Sequence, residues 1–164
     1  YKILSMLEMA QSDYDQILFL DTDAYFKSKA ALGVFDVLCN FDIAIAQSPV
    51  LHGFDERDVP HSFPEYNSGV IAFSVATCSQ TKKILTLFQQ WLSAYTDRNF
   101  KKLTDQGPLR RCLYNSSVRI ATLPFVYNYR DGIESSAIFN KRFTTDKKWV
   151  LIEHPHDPAR FNEK

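Results

Sequence analysis

The sequence lacks a surplus of charge of either sign and has few cysteines. Nineteen Lys and Arg residues balance nineteen Asp and Glu residues over 164 positions, so the formal net charge is zero. A nucleic-acid partner is not expected, because binding to nucleic acid draws on a broad positive field. The three cysteines, Cys39, Cys78 and Cys112, are odd in number and widely spaced. This spacing fits neither a disulfide framework nor a zinc site, and it favours a reducing compartment.

Long apolar runs, repeats and low-complexity tracts are also missing. No apolar stretch reaches the roughly 20 residues that a membrane-spanning helix needs, and the sequence does not open with a signal-peptide pattern. We therefore predict a cytoplasmic protein without a membrane span. The length fits one domain with a sizeable core, so we predict a single domain over 1–164.

Apolar runs that are typical of buried strands alternate with amphipathic stretches that are typical of helices. The predicted strands are 16–20, 42–47, 68–75, 117–124 and 149–153, and the predicted helices are 1–13, 79–95 and 104–115, the last with Thr104 as its N-cap. This alternation predicts an α/β fold with a mostly parallel mixed sheet flanked by helices. Ligands of such sheets bind at the carboxyl ends of the strands. Asp21, Asp23, Ser74 and His154 lie at or just beyond predicted strand ends.

The first strand leads directly into Asp21-Thr22-Asp23, the strongest functional signal in the sequence. Two carboxylates this close repel each other, and their desolvation is costly unless a positive charge lies between them. A hard divalent cation, Mg²⁺ or Mn²⁺, is the simplest compensation. The structural alternative is a strand-to-loop junction in which Asp23 caps a turn and Asp21 pairs with an Arg.

Two unrelated chemistries use such an acidic pair after a strand. In a phosphatase of the haloacid-dehalogenase type, Asp21 would be the nucleophile and Asp23 the acid/base. That chemistry needs a second acidic pair at another strand end, and the sequence has no Asp-Asp pair. In glycosyl transfer from a nucleotide-diphosphate sugar, the cation neutralises the departing diphosphate.

Three further motifs are each ambiguous when taken alone. Asn67-Ser68-Gly69 precedes a predicted strand, where it could equally form a tight turn. Asp105 and Gln106 begin a predicted helix, where the helix dipole also favours an acid. His154 follows the last predicted strand, and it could be a hydrogen-bonded loop histidine.

In order along the chain, these motifs resemble the GT-A glycosyltransferases that use nucleotide sugars. The order is an apolar strand with Asp-x-Asp, then Asn-Ser-Gly-Val, a helix opening on Asp-Gln, the segment RIATLPFVYNYR and a strand ending in His. It is most similar to the glycogenin and lipopolysaccharide galactosyltransferase group. The resemblance covers nearly the whole chain and implies transfer of a sugar, from UDP-sugar by analogy, with retention of configuration. The acceptor would be a carbohydrate or a protein-linked group.

The resemblance also implies the metal site. Asp21 and Asp23 match the acidic pair that holds Mn²⁺ (or Mg²⁺), and His154 matches the histidine that completes the protein ligands. Thr22 matches the residue beside the donor ribose. His156 is the alternative to His154, which we prefer because it lies at the strand end.

The donor-sugar residues are implied in the same way. Asn67, Ser68 and Gly69 match the segment that lines the donor-sugar pocket. Asp105 and Gln106 match the acid and the amide near the reacting carbon, where Asn67 also contributes. Lys2 lies where relatives place a base that meets the donor sugar or phosphate.

The chain departs from the family pattern at both ends. Relatives have nucleotide-binding strands and helices before the acidic pair, whereas here the pair follows only twenty residues. We therefore expect the C-terminal two-thirds of a catalytic domain. Relatives also carry a glycine and a lysine after the histidine, for which Arg160 is the nearest substitute. A truncated or degenerate module without activity is thus an alternative, and an exposed sheet edge could pair in a homo-oligomer.

Two regions carry lesser predictions. The segment 51–63 is polar and predicts a surface loop, which in a transferase could shape the acceptor pocket with His52 or His61. The pair Arg110 and Arg111 predicts a solvated helix face rather than a phosphate clamp.

Overall fold

A computed structural model describes residues 1–48, 58–97, 104–130 and 150–154 of the chain. The four strands of its main sheet are β1 (Gln16–Leu20), β3 (Ile43–Gln47), β4 (Tyr66–Ser74) and β5 (Ile120–Leu123), in the spatial order β1-β4-β3-β5. The strands β2 (Tyr25–Phe26) and β6 (Ile152–Glu153) form a second, two-stranded sheet. The helices are α1 (Lys2–Met9), α2 (Val34–Val37), α3 (Cys78–Thr96) and α4 (Gln106–Tyr114).

The mixed α/β architecture predicted from the sequence is confirmed, with one difference in strand direction. Strands β1, β3 and β5 run the same way, but β4 lies between β1 and β3 and is antiparallel to both. The first residues of β4 therefore lie beside the end of β1. Ser74, at the end of β4, pairs instead with Gln16, the first residue of β1, at the opposite end of the strands. The expectation that Ser74 lies at the same end of the sheet as Asp21 and Asp23 is wrong for this reason.

The two faces of the sheet are covered unequally because side chains alternate along each strand. Ile43 and Ile45 of β3 face the large core, to which α1, α3 and α4 contribute their buried apolar residues. Ala44 and Ala46 face the other way, into a smaller cluster with Val34 of the α2 segment. The face of the sheet that carries Ile43 and Ile45 thus packs against the three helices that carry Lys2, Trp91 and Gln106.

The three predicted helices are present, with corrections at particular residues. In α1 the buried residues are Ile3 and Met6, whereas Leu4 is 51% exposed. Helix α4 begins one residue later than predicted, because Asp105 rather than Thr104 is its N-cap residue. None of the helices in the part of the chain that the structure describes is both long enough and apolar enough to cross a membrane.

The small sheet brings the end of the chain to the acidic pair. Strand β2, which the sequence analysis missed, follows Asp23 by one residue and pairs with β6 through Tyr25 and Glu153. Residue 149, predicted to begin this last strand, lies outside the described residues. Because β6 ends directly before His154, the pairing holds this histidine near the acids.

An ion-pair cluster around the buried Asp42 joins α3 to the sheet, away from the acidic pair. Asp42, fully buried directly before β3, accepts hydrogen bonds from the Arg119 Nη2 at 2.8 Å and the Arg119 backbone N–H at 2.9 Å. Lys83 of α3 donates to the same carboxylate at 3.0 Å. Burial opposes ionisation of Asp42, but these bonds lower its pKa well below its ordinary value.

The prediction that Arg110 and Arg111 form a solvated helix face is wrong for Arg110. It is 4% exposed, and its guanidinium donates to the carbonyl oxygens of Pro60 at 2.6 Å and Phe63 at 2.8 Å. Helix α4 thereby holds the segment that leads into β4.

The part of the predicted surface loop that includes His52 lies outside the described residues, and His61 is exposed.

Candidate functional site

Three side chains converge into a candidate metal site at the end of β1. His154 Nε2 lies 3.0 Å from Asp23 Oδ1 and 3.8 Å from Asp21 Oδ2. One ligand atom from each of the three residues lies within 4.8 Å of the others. Two carboxylate oxygens and one imidazole nitrogen are donors that suit a divalent ion such as Mn²⁺. The residues present therefore fit the group that the sequence predicted, and His154 is the histidine placed there.

The His154 ring is held from its far side. Its backbone N–H donates to the Tyr129 carbonyl at 2.8 Å, and its Nδ1 lies 3.0 Å from the Asn128 Oδ1. Burial and the positive charge of Arg130 lower the pKa of the histidine, although the two acids oppose this effect. A neutral imidazole is the form that ligates metals. The role of Asn128 could not be predicted from the sequence, because the histidine that it contacts lies 26 residues further along the chain.

Gly69 provides the space in which the His154 ring lies. A Cβ at this position would overlap Cε1 and Nδ1 of the imidazole and would approach Asn67 Oδ1 to 3.0 Å. The Gly69 carbonyl accepts from the Asp21 N–H at 2.8 Å, which continues the β1–β4 ladder into the acidic pair. In the structure this glycine packs beneath the histidine, and its predicted place in a donor-sugar pocket stays a prediction.

Replacing Gly69 with alanine is expected to displace His154. The overlap forces the ring or the strand to move, at a cost of about 1–3 kcal/mol of stability. We expect Mn²⁺ affinity, measured by calorimetry, to fall by roughly ten- to a hundredfold, as when a ligand loses its orientation.

The matched control is Gly33→Ala, because its Cβ would meet Tyr127 Oη at an ordinary 3.5 Å. We expect it to be neutral or to stabilise by about 0.4–1 kcal/mol. Equal Mn²⁺ affinity in the two variants would contradict the role assigned to Gly69.

A second cluster, centred on Lys2, adjoins the metal site. The Lys2 ammonium lies 2.9 Å from Asp21 Oδ1, 3.1 Å from Ser68 Oγ and 3.1 Å from Asp105 Oδ2. The Ser68 hydroxyl in turn donates to Asp105 at 2.9–3.0 Å. One cation thus balances two carboxylates from different elements, and Asp21 belongs to both clusters. Helix α1, β1, β4 and the start of α4 meet at this point.

Two amides beside these clusters have buried polar atoms without a partner among the described residues. Asn67 uses its Oδ1 to accept from the Gly69 N–H at 2.9 Å, which leaves Nδ2 unsatisfied. The Oε1 of Gln106 is also unsatisfied, and both residues are at most 9% exposed. Unpaired buried polar atoms are costly and rare in native proteins. One is a donor and the other an acceptor, so a ligand that carries hydroxyl groups could satisfy both.

The remaining predicted site residues are placed as follows. Thr22 is exposed between the two acids. Asp105 is fixed in part through its carbonyl oxygen, which accepts from the buried Trp91 Nε1 at 2.9 Å. His156 and Arg160 lie outside the described residues. No second acidic pair at a strand end accompanies Asp21 and Asp23 in the ranges that the structure describes, so the feature that a dehalogenase-type phosphatase needs is not seen there.

Comparison with known proteins gives the fold. No protein-family model matches the sequence, and no curated protein matches it. Among solved structures, the galactosyltransferase LgtC in complex with donor and acceptor sugar analogues is similar, with a TM-score of 0.64 and 15% identity over 94% of this chain. The glycosyltransferase GlyE of Streptococcus pneumoniae (TM-score 0.58, 18% identity, 93% of this chain) and mouse xyloside xylosyltransferase 1 (0.56, 17%, 93%) are also similar.

These likenesses confirm the fold of GT-A glycosyltransferases. The chain spans only part of each neighbour: 58% of LgtC, 37% of GlyE and 63% of the xylosyltransferase.

Proposed function

We propose that this chain forms the metal- and sugar-binding part of a glycosyltransferase that takes its sugar from a nucleotide-diphosphate donor, with UDP as the nucleotide. The proposal is supported most strongly by the way two clusters meet. The candidate metal site, with two carboxylates and one imidazole, shares Asp21 with the Lys2 cluster, and two buried amides with unsatisfied polar atoms lie beside them. The similarity in fold to sugar transferases supports this assignment, and the motif order favours the glycogenin and lipopolysaccharide galactosyltransferase group within them.

Asp21, Asp23 and His154 would hold the ion, Mn²⁺ or Mg²⁺. When bound, such an ion neutralises the charge that develops on a departing diphosphate. The imidazole favours Mn²⁺ over Mg²⁺, because Mg²⁺ prefers oxygen ligands alone.

Lys2 and the two amides would act on the donor sugar. Asn67 Nδ2 can donate to a sugar hydroxyl, and Gln106 Oε1 can accept from one. Asp105 lies at the start of α4, held by Lys2 and Ser68, and positions the Gln106 amide beside it. Lys2 keeps Asp21 and Asp105 together and supplies positive charge next to the diphosphate, with Thr22 near the ribose. Transfer with retention to a carbohydrate or protein-linked acceptor completes the proposal.

Donor hydrolysis tests this function without knowledge of the acceptor. The full chain is incubated with UDP-glucose and UDP-galactose, and release of UDP is followed with Mn²⁺ or with EDTA. We expect Mn²⁺-dependent release from at least one donor. Release that EDTA leaves unchanged, or Mn²⁺-dependent cleavage of a simple phosphate ester in its place, would contradict the proposal.

Lys2→Met is expected to slow this hydrolysis by about a hundredfold, the usual effect of losing one electrostatic stabiliser at a reacting group. Mn²⁺ affinity should change by less than about tenfold, because the three ion ligands remain and Asp21 loses a competing cation. Parallel measurement of UDP release and of Mn²⁺ binding separates the two effects.

Lys29→Met is the matched control, since Lys29 is exposed in the short helix after β2. An unchanged rate in Lys2→Met would refute the role of the lysine cluster.

A further inference from the structure

Asn128 lies against the candidate metal ligand His154 in a position that the sequence did not reveal. Both residues are nearly fully buried, at 4% and 3% exposure, and 3.0 Å separates Asn128 Oδ1 from His154 Nδ1. The other ring nitrogen, Nε2, faces Asp23 and Asp21. The imidazole is therefore fixed between an amide on one side and the candidate ion position on the other.

The backbone around Asn128 holds this arrangement in register. A short 3₁₀ helix, Phe125–Tyr127, follows β5 and ends at Asn128. The next residue, Tyr129, donates its N–H to the Ile152 carbonyl at 3.0 Å and accepts from the His154 N–H at 2.8 Å. These two bonds surround Glu153, which also forms a parallel bridge with Tyr129. The amide of Asn128 is thus brought to the histidine by main-chain pairing.

A neutral imidazole carries its single proton on one nitrogen and a lone pair on the other. Asp23 Oδ1, 3.0 Å from Nε2, competes for this proton until a cation takes its place beside Nε2. With a cation there, an oxygen acceptor at Nδ1 holds the proton on Nδ1 and leaves the Nε2 lone pair to the cation. Metal-bound histidines are commonly oriented in this way by an acceptor at the second nitrogen.

We propose that Asn128 is a positioning residue whose amide oxygen keeps the His154 proton on Nδ1 and so directs the Nε2 lone pair into the metal site. The inference rests on the ion site of the proposed function but not on sugar transfer. It requires the Asn128 oxygen, rather than its NH₂ group, to face the imidazole, and this requirement makes it testable.

Two substitutions distinguish an acceptor from a donor at this position. Asn128→Ala removes the partner, and we expect Mn²⁺ affinity to fall by roughly ten- to a hundredfold. Asn128→Asp has a similar shape but can only accept when ionised, so we expect it to bind Mn²⁺ as tightly as the natural chain or more tightly. If the NH₂ group faced Nδ1 instead, the ring proton would lie on Nε2, and Asn128→Ala would leave Mn²⁺ affinity unchanged or raise it. Mn²⁺ binding is measured by calorimetry on the full chain, with circular dichroism as the check on folding.

A spectroscopic measurement on the natural chain tests the same inference and does not require any variant to fold. With ¹⁵N-labelled histidine and Zn²⁺ as a diamagnetic ion, we expect the His154 Nδ1 to carry the proton and Nε2 to show the metal-bound shift. A proton on Nε2, equal Mn²⁺ affinity in Asn128→Ala, or loss of affinity in Asn128→Asp would each overturn the inference. A chain that binds Mn²⁺ with this dependence on Asn128 but releases no UDP from sugar donors would overturn the proposed function alone. A natural chain that binds neither ion would overturn both.

Discussion

Replacing Asp23 with alanine is expected to abolish measurable Mn²⁺ binding and to slow donor hydrolysis by about a thousandfold. Asp23 supplies the carboxylate closest to the His154 Nε2, at 3.0 Å, so its loss leaves one carboxylate and one imidazole for the ion. A bound ion contributes several kcal/mol of charge stabilisation, and about 4 kcal/mol corresponds to a thousandfold in rate. Calorimetry and UDP release measure the two effects.

The same substitution should leave the fold intact. The Asp23 side chain is 40% exposed, and its removal relieves repulsion from Asp21. We expect the metal-free variant to unfold at the temperature of the natural chain or slightly above it. Asp13→Ala is the control, because Asp13 is an exposed acid outside both clusters. Retention of Mn²⁺ binding in Asp23→Ala would show that the acids merely end a strand.

Asp42→Asn is expected to have a large effect on stability, lowering the free energy of unfolding by about 1.5–3 kcal/mol. Asp42 is fully buried and its carboxylate accepts from both Arg119 and Lys83. The substitution removes the charge that strengthens these hydrogen bonds and leaves a buried amide NH₂ facing the donors of Arg119 and Lys83. For a chain of this size, this corresponds to a fall of roughly 5–10 °C in the midpoint of thermal unfolding.

The effect of Asp42 should depend on pH in one direction. Burial opposes ionisation, but the hydrogen bonds from Arg119 and Lys83 outweigh it and hold the pKa of Asp42 well below its ordinary value of 3.8. A carboxyl group with a lowered pKa stabilises the fold fully above about pH 4 and less as the pH falls below that value. The difference in unfolding free energy between the natural chain and Asp42→Asn should therefore be constant near neutral pH and narrow in acid. Asp13→Asn is the matched control, and a difference that widens in acid would contradict the account.

The convergence of Asp21, Asp23 and His154 could be predicted from the sequence, because these residues follow the ends of predicted strands. The apolar run 17–20 marks β1 and ends at Asp21, and the apolar run 70–73 marks the inner part of β4, which begins at Tyr66. In both cases polar residues adjoin a short apolar run, which is a local and strong signal. His154 could be placed for the same reason.

The direction of β4 and the buried polar contacts could not be predicted in this way. All nine residues of β4 are buried, so its pattern contains no alternation and no indication of direction. The side chain of Arg110 resembles a solvated one until its carbonyl partners, 47 and 50 residues earlier, are known. The partnership of Asn128 with His154 likewise depends on pairing between distant segments. Such contacts are set by tertiary structure, which local patterns do not encode.

The most direct test of the metal site is a calorimetric titration of the full natural chain with Mn²⁺, with and without UDP. The account predicts one Mn²⁺ per chain and tighter binding of Mn²⁺ when UDP is present. Because linkage is reciprocal, UDP should bind more tightly by the same factor when Mn²⁺ is present. Failure of Mn²⁺ to bind under either condition would contradict the central claim that Asp21, Asp23 and His154 form an ion site. Mn²⁺ binding that is indifferent to UDP would contradict its role in holding a diphosphate.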